Sequence, residues 1–208
     1  MKTFKTELAQ NIHCIGLNFP GLVEEDEPLY FIKSSSSLKI VKENEEEIHF
    51  LSPNKIWCEC ELGLVVRKSL SGNYDSSKTN ELIKGIMVTS DITSENNFQR
   101  DHHLGFSKSK KNFCLVSDEY KQLNSIDLEN LQMVTKINSS VTQNENTSRM
   151  LFKPNEIISY ILSFVDLQEN DIILCGTPAG WQECILNDGD IVSHEITDLK
   201  PLKFKVKL

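Results

Sequence analysis

The stretch Ile56-Trp57-Cys58-Glu59-Cys60-Glu61-Leu62, running on into Gly63-Leu64-Val65-Val66, constrains the fold of this chain more than any other. Read as a strand, it places Glu59 and Glu61 on one face, about 6.5–7 Å apart along the backbone. Cys58, Cys60 and Leu62 share the other face, which suits a core. A helix would splay the two acids apart. Carboxylates aimed at one point repel each other unless a cation lies between them, and the oxygen donors ask for a hard ion such as Mg²⁺ or Mn²⁺. Taken alone, the pair fits a solvated strand face better than a site.

A chain of 208 residues buries one good core, so a single domain over 1–208 is expected. The net charge of −8 argues against broad nucleic-acid or anionic-membrane binding. No apolar run reaches the roughly 18 residues of a membrane span. Met1–Lys5 lacks the apolar core of a secretory signal, so a cytoplasmic protein is expected. The six cysteines lie mostly in apolar strand-like runs and read as reduced, buried thiols. Cys58 and Cys60 do not have zinc-finger spacing, and no second pair completes a ligand set.

Short β-branched and aromatic runs recur at 12–17, 29–33, 38–41, 56–67, 84–90, 113–117, 131–137, 171–176, 190–196 and 202–207. Turn residues separate them, and 43–47 reads as an acidic surface run. The clearest helix is 154–164, with Pro154 in its first turn, Glu156 at the positive end of its dipole and an apolar stripe from Ile157 to Phe164. Shorter helices are expected near 77–83 and 94–102. The pattern predicts a β-rich α+β fold with short helices.

Asp91 ends the apolar run Gly85–Ser90 and could project toward the Glu59/Glu61 face. Three carboxylates plus waters suit octahedral Mg²⁺. Lys108 follows, and a lysine beside such a centre can neutralise a bound acid or an enolate.

With these residues in place, the chain resembles the fumarylacetoacetate hydrolase family along almost its whole length. The motifs occur in order: Ile15-Gly16-Leu17-Asn18-Phe19, Pro28-Leu29-Tyr30-Phe31-Ile32-Lys33, Glu59-Cys60-Glu61-Leu62, Ser90-Asp91-Ile92-Thr93 and Lys108-Ser109. Gln143 through Phe152 and Asp171 through Gly180, with Gly176-Thr177-Pro178-Ala179-Gly180, complete the set. The resemblance implies a mixed β-roll around Mg²⁺ or Mn²⁺, assembled as a homodimer. It further implies activity on small 2-oxo or β-diketo acids by C–C bond hydrolysis or cleavage, decarboxylation, hydration or isomerisation. Glu59, Glu61 and Asp91 would be metal ligands and Lys108 would meet the substrate carboxylate or enolate. Asn18, Gln143, Gly176 and Thr177 would bind substrate.

The chain departs from the family pattern where hydrolytic members carry a His-x-x-Glu dyad. Leu22 stands at the histidine position, leaving Glu25 (or Glu24) as the candidate base. Glu95 replaces an arginine and Phe98 a glutamine, with Arg100 or Lys110 as possible compensation. Enolate chemistry depends on the metal and Lys108 more than on the dyad. The alternative is a catalytically impaired paralogue that keeps metal and ligand binding as a binding or assembly subunit. His102 and His103 read as an exposed pair, His13 as a packed core residue, and His49 and His194 carry no signal.

Overall fold

The computed structural model describes residues 2–3, 9–21, 27–42, 44–95, 104–123 and 126–208. Among them, strands dominate and the α-helices are short, in agreement with the expected β-rich α+β fold. The chain builds a seven-stranded mixed sheet in the order β3 (Leu29–Lys33), β2 (Ile12–Gly16), β12 (Ile172–Leu174), β6 (Ile56–Val66), β7 (Ile83–Ser94), β8 (Cys114–Ser117) and β4 (Leu38–Val41). A five-stranded sheet has the order β11 (Ser140–Asn146), β10 (Gln132–Ile137), β13 (Ile191–Ile196), β14 (Leu202–Lys207) and β5 (Glu46–His49). Two short strands, β1 (Lys2–Thr3) and β9 (Glu119–Tyr120), pair separately.

The centre of the large sheet is β6, buried along nearly its whole length instead of alternating with solvent. That pattern requires cover on both faces. On one face Cys58, Cys60, Leu62 and Leu64 pack in a cluster with Met133, Val192, Phe204 and Val206 of the smaller sheet. Helix α3 (Pro154–Leu162) joins this cluster through Ile157, Ile158, Ile161 and Leu162. Its first turn is held by Glu156, whose carboxylate accepts from the Lys153 N–H at 2.7 Å. On the other face Val65 and Met87 meet Ile12, Cys14, Phe31, Cys114 and Leu174.

This second face is the inside of a roll. Lys33 on edge strand β3 reaches Asp91 on β7, and Lys108 lies over the Phe31 ring at 5.2 Å. In a flat sheet β3 and β7 would stand about 19 Å apart at the usual strand spacing. The sheet therefore curls until β3 and the α2 helix (Gly105–Lys108) face β7.

The strand expectations hold with small shifts of boundary. Four strands of the described residues lie outside the expected runs, the two-residue pair β1 and β9 among them. β5 falls partly in the run taken as an acidic surface, and β11 carries polar residues on both faces of a sheet edge. The region near 77–83 forms a 3₁₀ turn and the short helix α1 (Thr79–Leu82). Of the helix expected near 94–102, Ser94 belongs to β7 and 96–102 lie outside the described residues. All six cysteines are free and buried.

Candidate metal centre

Glu59 and Asp91 are directly opposite each other in the antiparallel β6–β7 pairing, and Glu61 is one strand period further along β6. Like charges placed opposite each other destabilise a sheet. Here one ligand oxygen from each of Glu59, Glu61 and Asp91 comes within 4.8 Å of the others, and all three residues are buried. The geometry concentrates three acids inside the roll.

Two lysines answer them. The Lys108 Nζ donates to Asp91 Oδ2 at 2.6 Å and to Glu59 Oε2 at 3.0 Å. Burial opposes the charge on Lys108, but Asp91 and then Glu59 outweigh it and hold the ammonium above the ordinary lysine range. Lys33, fully buried, donates to Asp91 Oδ1 and to the Ile92 carbonyl at 3.1 Å. The Thr93 hydroxyl donates to Glu59 Oε1 at 2.7 Å. Glu61 accepts the Gly176 N–H on Oε2 at 2.6 Å. Among the described residues no donor reaches its Oε1. Burial, reinforced by Asp91 and Glu59, pushes the Glu61 carboxyl well above the usual range.

Three hard oxygen donors, one with an unanswered buried oxygen, fit a divalent cation of the Mg²⁺ or Mn²⁺ type. With all three carboxylates ionised, as metal ligands are, they leave one negative charge against the two ammonium groups. A divalent ion would reverse it to one positive charge, which suits an anionic ligand.

The other predicted residues frame this centre. Asn18 donates to the carbonyls of Cys175 at 2.7 Å and Phe152 at 3.0 Å, and accepts the Phe152 N–H at 2.7 Å. Its amide is engaged with backbone and pins the 175–176 and 151–152 segments together. Gln143 donates to Thr177 Oγ1 and the Pro178 carbonyl, both at 2.9 Å, and accepts from Thr135 at 2.7 Å. It fixes the loop that presents Gly176 and Thr177. Lys110 donates to Ser94 at 2.8 Å and stands over the Phe106 ring at 4.4 Å, and Glu95 is exposed. Glu25, Glu24, Leu22, Phe98, Arg100, His102 and His103 lie outside the described residues.

Some residues around the centre escaped the reading of the sequence. Lys33 belongs to the Pro28–Lys33 motif, which assigns it no role. Its signal was available, because the period of β3 puts it on the face of buried Phe31. His194 was read as carrying no signal, yet it is fully buried between Ser90 at 2.9 Å and Thr135 at 3.0 Å. Burial depresses its pKa to about 3, so it is a neutral link in a chain running from the strand of Asp91 through Thr135 to Gln143. Only the pairing of β10 with β13, which sets His194 opposite Thr135, could reveal it. His13 is a core residue, as expected, held between Asp171 at 3.1 Å and Tyr30 at 2.8 Å.

A curled mixed sheet with a buried acidic triad and paired lysines defines a β-roll protein whose centre could hold a divalent cation. This chain belongs to the fumarylacetoacetate hydrolase family, whose C-terminal-domain model matches residues 6–207. It is 28% identical over 203 residues to the mitochondrial oxaloacetate decarboxylase of Dictyostelium discoideum, covering 93% of this chain and 91% of that protein. The 2-hydroxyhepta-2,4-diene-1,7-dioate isomerase of Mycobacterium marinum superposes with a TM-score of 0.80 at 25% identity, over 96% of this chain and 75% of that one. The fumarylpyruvate hydrolase of Pseudomonas aeruginosa, solved with Mn²⁺ and pyruvate, shares the fold with a TM-score of 0.86 at 19% identity, over 96% and 90% of the two chains. Among the described residues no helix is long and apolar enough to cross a membrane.

Proposed function

We propose that this chain is a divalent-metal-dependent enzyme on small 2-oxo acids, working by lyase, decarboxylase or isomerase chemistry through a stabilised enolate. The observation that carries the reading is the buried triad of Glu59, Glu61 and Asp91 with Lys108 against it. The triad would hold Mg²⁺ or Mn²⁺, and the ion supplies Lewis-acid polarisation of a chelated 2-oxo acid. Asp91 and Glu59 both accept from Lys108 and favour its ammonium form. Its role is to place a fixed positive charge beside the substrate carboxylate or the developing enolate oxygen. Lys33 holds Asp91 in place, and Thr177, next to Gly176, is the candidate substrate contact on the loop. Glu25 is the candidate proton carrier, because Leu22 cannot take a proton. The named activities of the Dictyostelium decarboxylase and the M. marinum isomerase support chemistry of this kind. A homodimer is the assembly that goes with it.

Purified protein with Mg²⁺ or Mn²⁺ should turn over at least one of oxaloacetate, an acylpyruvate or a 2-hydroxy-dienedioate, and lose that turnover with chelator or in Glu61→Gln. A metal-induced rise in Tm without turnover of any of them would support the binding-subunit alternative. No response to metal would defeat both.

A further inference from the structure

The chain has two tryptophans, Trp57 and Trp181, and the fold brings them together at the edge of the acidic centre. Their rings meet edge to face, with centroids 6.2 Å apart and an interplanar angle of 76°. Trp57 precedes Glu59 by one strand period and shares its face. Its cross-strand partner is Thr93, whose hydroxyl donates to Glu59.

Trp181 arrives on a loop tied to β6 at both ends. The Cys175 N–H donates to the Leu62 carbonyl at 3.1 Å, and the Cys58 N–H donates to the Cys184 carbonyl at 3.1 Å. Between these anchors the loop passes Glu61 at Gly176 and Gln143 at Pro178. It turns at Gly180, where φ is +91° and an added Cβ would lie 2.6 Å from the Thr142 carbonyl oxygen. The loop therefore skirts the carboxylate edge of β6 and stands Trp181 on Trp57. Ile185, bridged to Trp57 and 37% exposed, extends the same apolar wall.

Both indoles are half-buried, so each keeps some surface open, and Trp57 does so one strand period from Glu59. Among the described residues no lysine or arginine stands over either ring, whereas the rings of Phe31, Phe106, Phe113 and Tyr120 all carry one. The wall offers apolar and aromatic contact without a charge for a second carboxylate. One strand period separates Trp57 from Glu59, about 6.5–7 Å, a span covered by a tail of about five or six bonds.

We propose that Trp57, Trp181 and Ile185 form a subsite for the tail of the 2-oxo acid. The preferred substrates then carry an aryl or extended alkyl group beyond C3. This rests on the reading of the triad as a 2-oxo acid centre.

The probes are pyruvate, which lacks a tail, and phenylpyruvate, which has an aromatic one, each titrated calorimetrically into Mg²⁺-loaded protein. Phenylpyruvate should bind about tenfold tighter, as expected for burying a few methylene equivalents of apolar surface. It should also shift the intrinsic tryptophan emission, which reports on this wall alone. Trp181→Ala should collapse the affinity ratio toward one, and Trp181→Phe should keep most of it. Mg²⁺-dependent binding of pyruvate with no preference for phenylpyruvate overturns the subsite alone. So does a ratio unchanged in folded Trp181→Ala. If neither acid binds in a Mg²⁺-dependent way, the 2-oxo acid reading fails and the subsite falls with it. Should Trp181→Ala not fold, the wild-type ratio, the emission shift and Trp181→Phe still decide.

Discussion

The Gly176 N–H donates to Glu61 Oε2 at 2.6 Å, which ties the Gly-Thr-Pro-Ala-Gly loop to the strand of the acidic triad. Gly176 holds φ at +96°, and an added Cβ would lie 2.7 Å from the Asn18 Cβ and 3.1 Å from the Ile15 carbonyl oxygen. Gly176→Ala should therefore cost roughly 2–4 kcal/mol of stability, from backbone strain together with overpacking. It should also weaken Mg²⁺ binding, because the loop must back away from Glu61. Urea unfolding and a metal titration of the folded variant check the two effects separately. Wild-type values for both would show that the loop does not position Glu61.

Lys33 and Asp91 are both fully buried, and their ion pair closes the roll between β3 and β7. Breaking a buried pair from one side leaves an uncompensated charge, at a cost of about 3–5 kcal/mol. Lys108 still answers Asp91, so Lys33→Met should destabilise the protein toward the lower end of that range, and Asp91→Asn in the same background should recover part of it. A double-mutant cycle measured in urea reads the coupling. If the two losses simply add, the pair contributes nothing to closure.

His194 gives stability a predictable dependence on pH. Burial lowers its folded pKa to about 3, against an ordinary histidine value of 6.5. Below pH 6.5 the unfolded chain takes up a proton that the folded chain refuses. The stabilisation is thus complete above pH 6.5 and is lost as pH falls toward 3, at up to about 1.4 kcal/mol per unit. His194→Gln, which keeps polar atoms between Ser90 and Thr135 but cannot titrate, should flatten this slope. Unfolding free energies at a series of pH values from 7 to 4 would show it, and parallel slopes for the two proteins would contradict the assignment.

The alternation of β6 made the Glu59/Glu61 pair legible from the sequence, since the period of a strand is local information. The ordered motifs added Asp91 and Lys108. What stayed hidden depends on which strands become neighbours. Lys33 and Asp91 are 58 positions apart in the chain and meet only because the sheet curls. Ser90 and His194 are 104 positions apart and meet only because the two sheets pack face to face. The motifs single out Asn18 and Gln143 as candidate substrate contacts. That their amides are engaged in holding backbone and loop follows from hydrogen bonds that no motif encodes. The β5 strand was obscured by its acidic residues, which a strand beside β14 tolerates because Lys205 pairs with Glu47 at 3.5 Å.

A substitution at Lys108 separates the electrostatic role proposed for it from its compensation of the triad. Its ammonium touches Glu59 and Asp91, so it compensates the triad, yet it also repels any divalent cation bound there. Lys108→Met removes both effects. Without metal the variant should be less stable, because the triad is left with Lys33 alone. Its Mg²⁺ affinity should stay the same or rise, because the centre becomes more negative. Turnover should nevertheless fall by roughly 100–1000-fold, the usual loss on deleting one preorganised charge or donor at a developing oxyanion. Calorimetric Mg²⁺ binding and kcat on the active substrate together test this. A variant that binds Mg²⁺ more weakly and loses turnover in proportion would make Lys108 an organiser of the metal ligands instead of the group that meets the substrate.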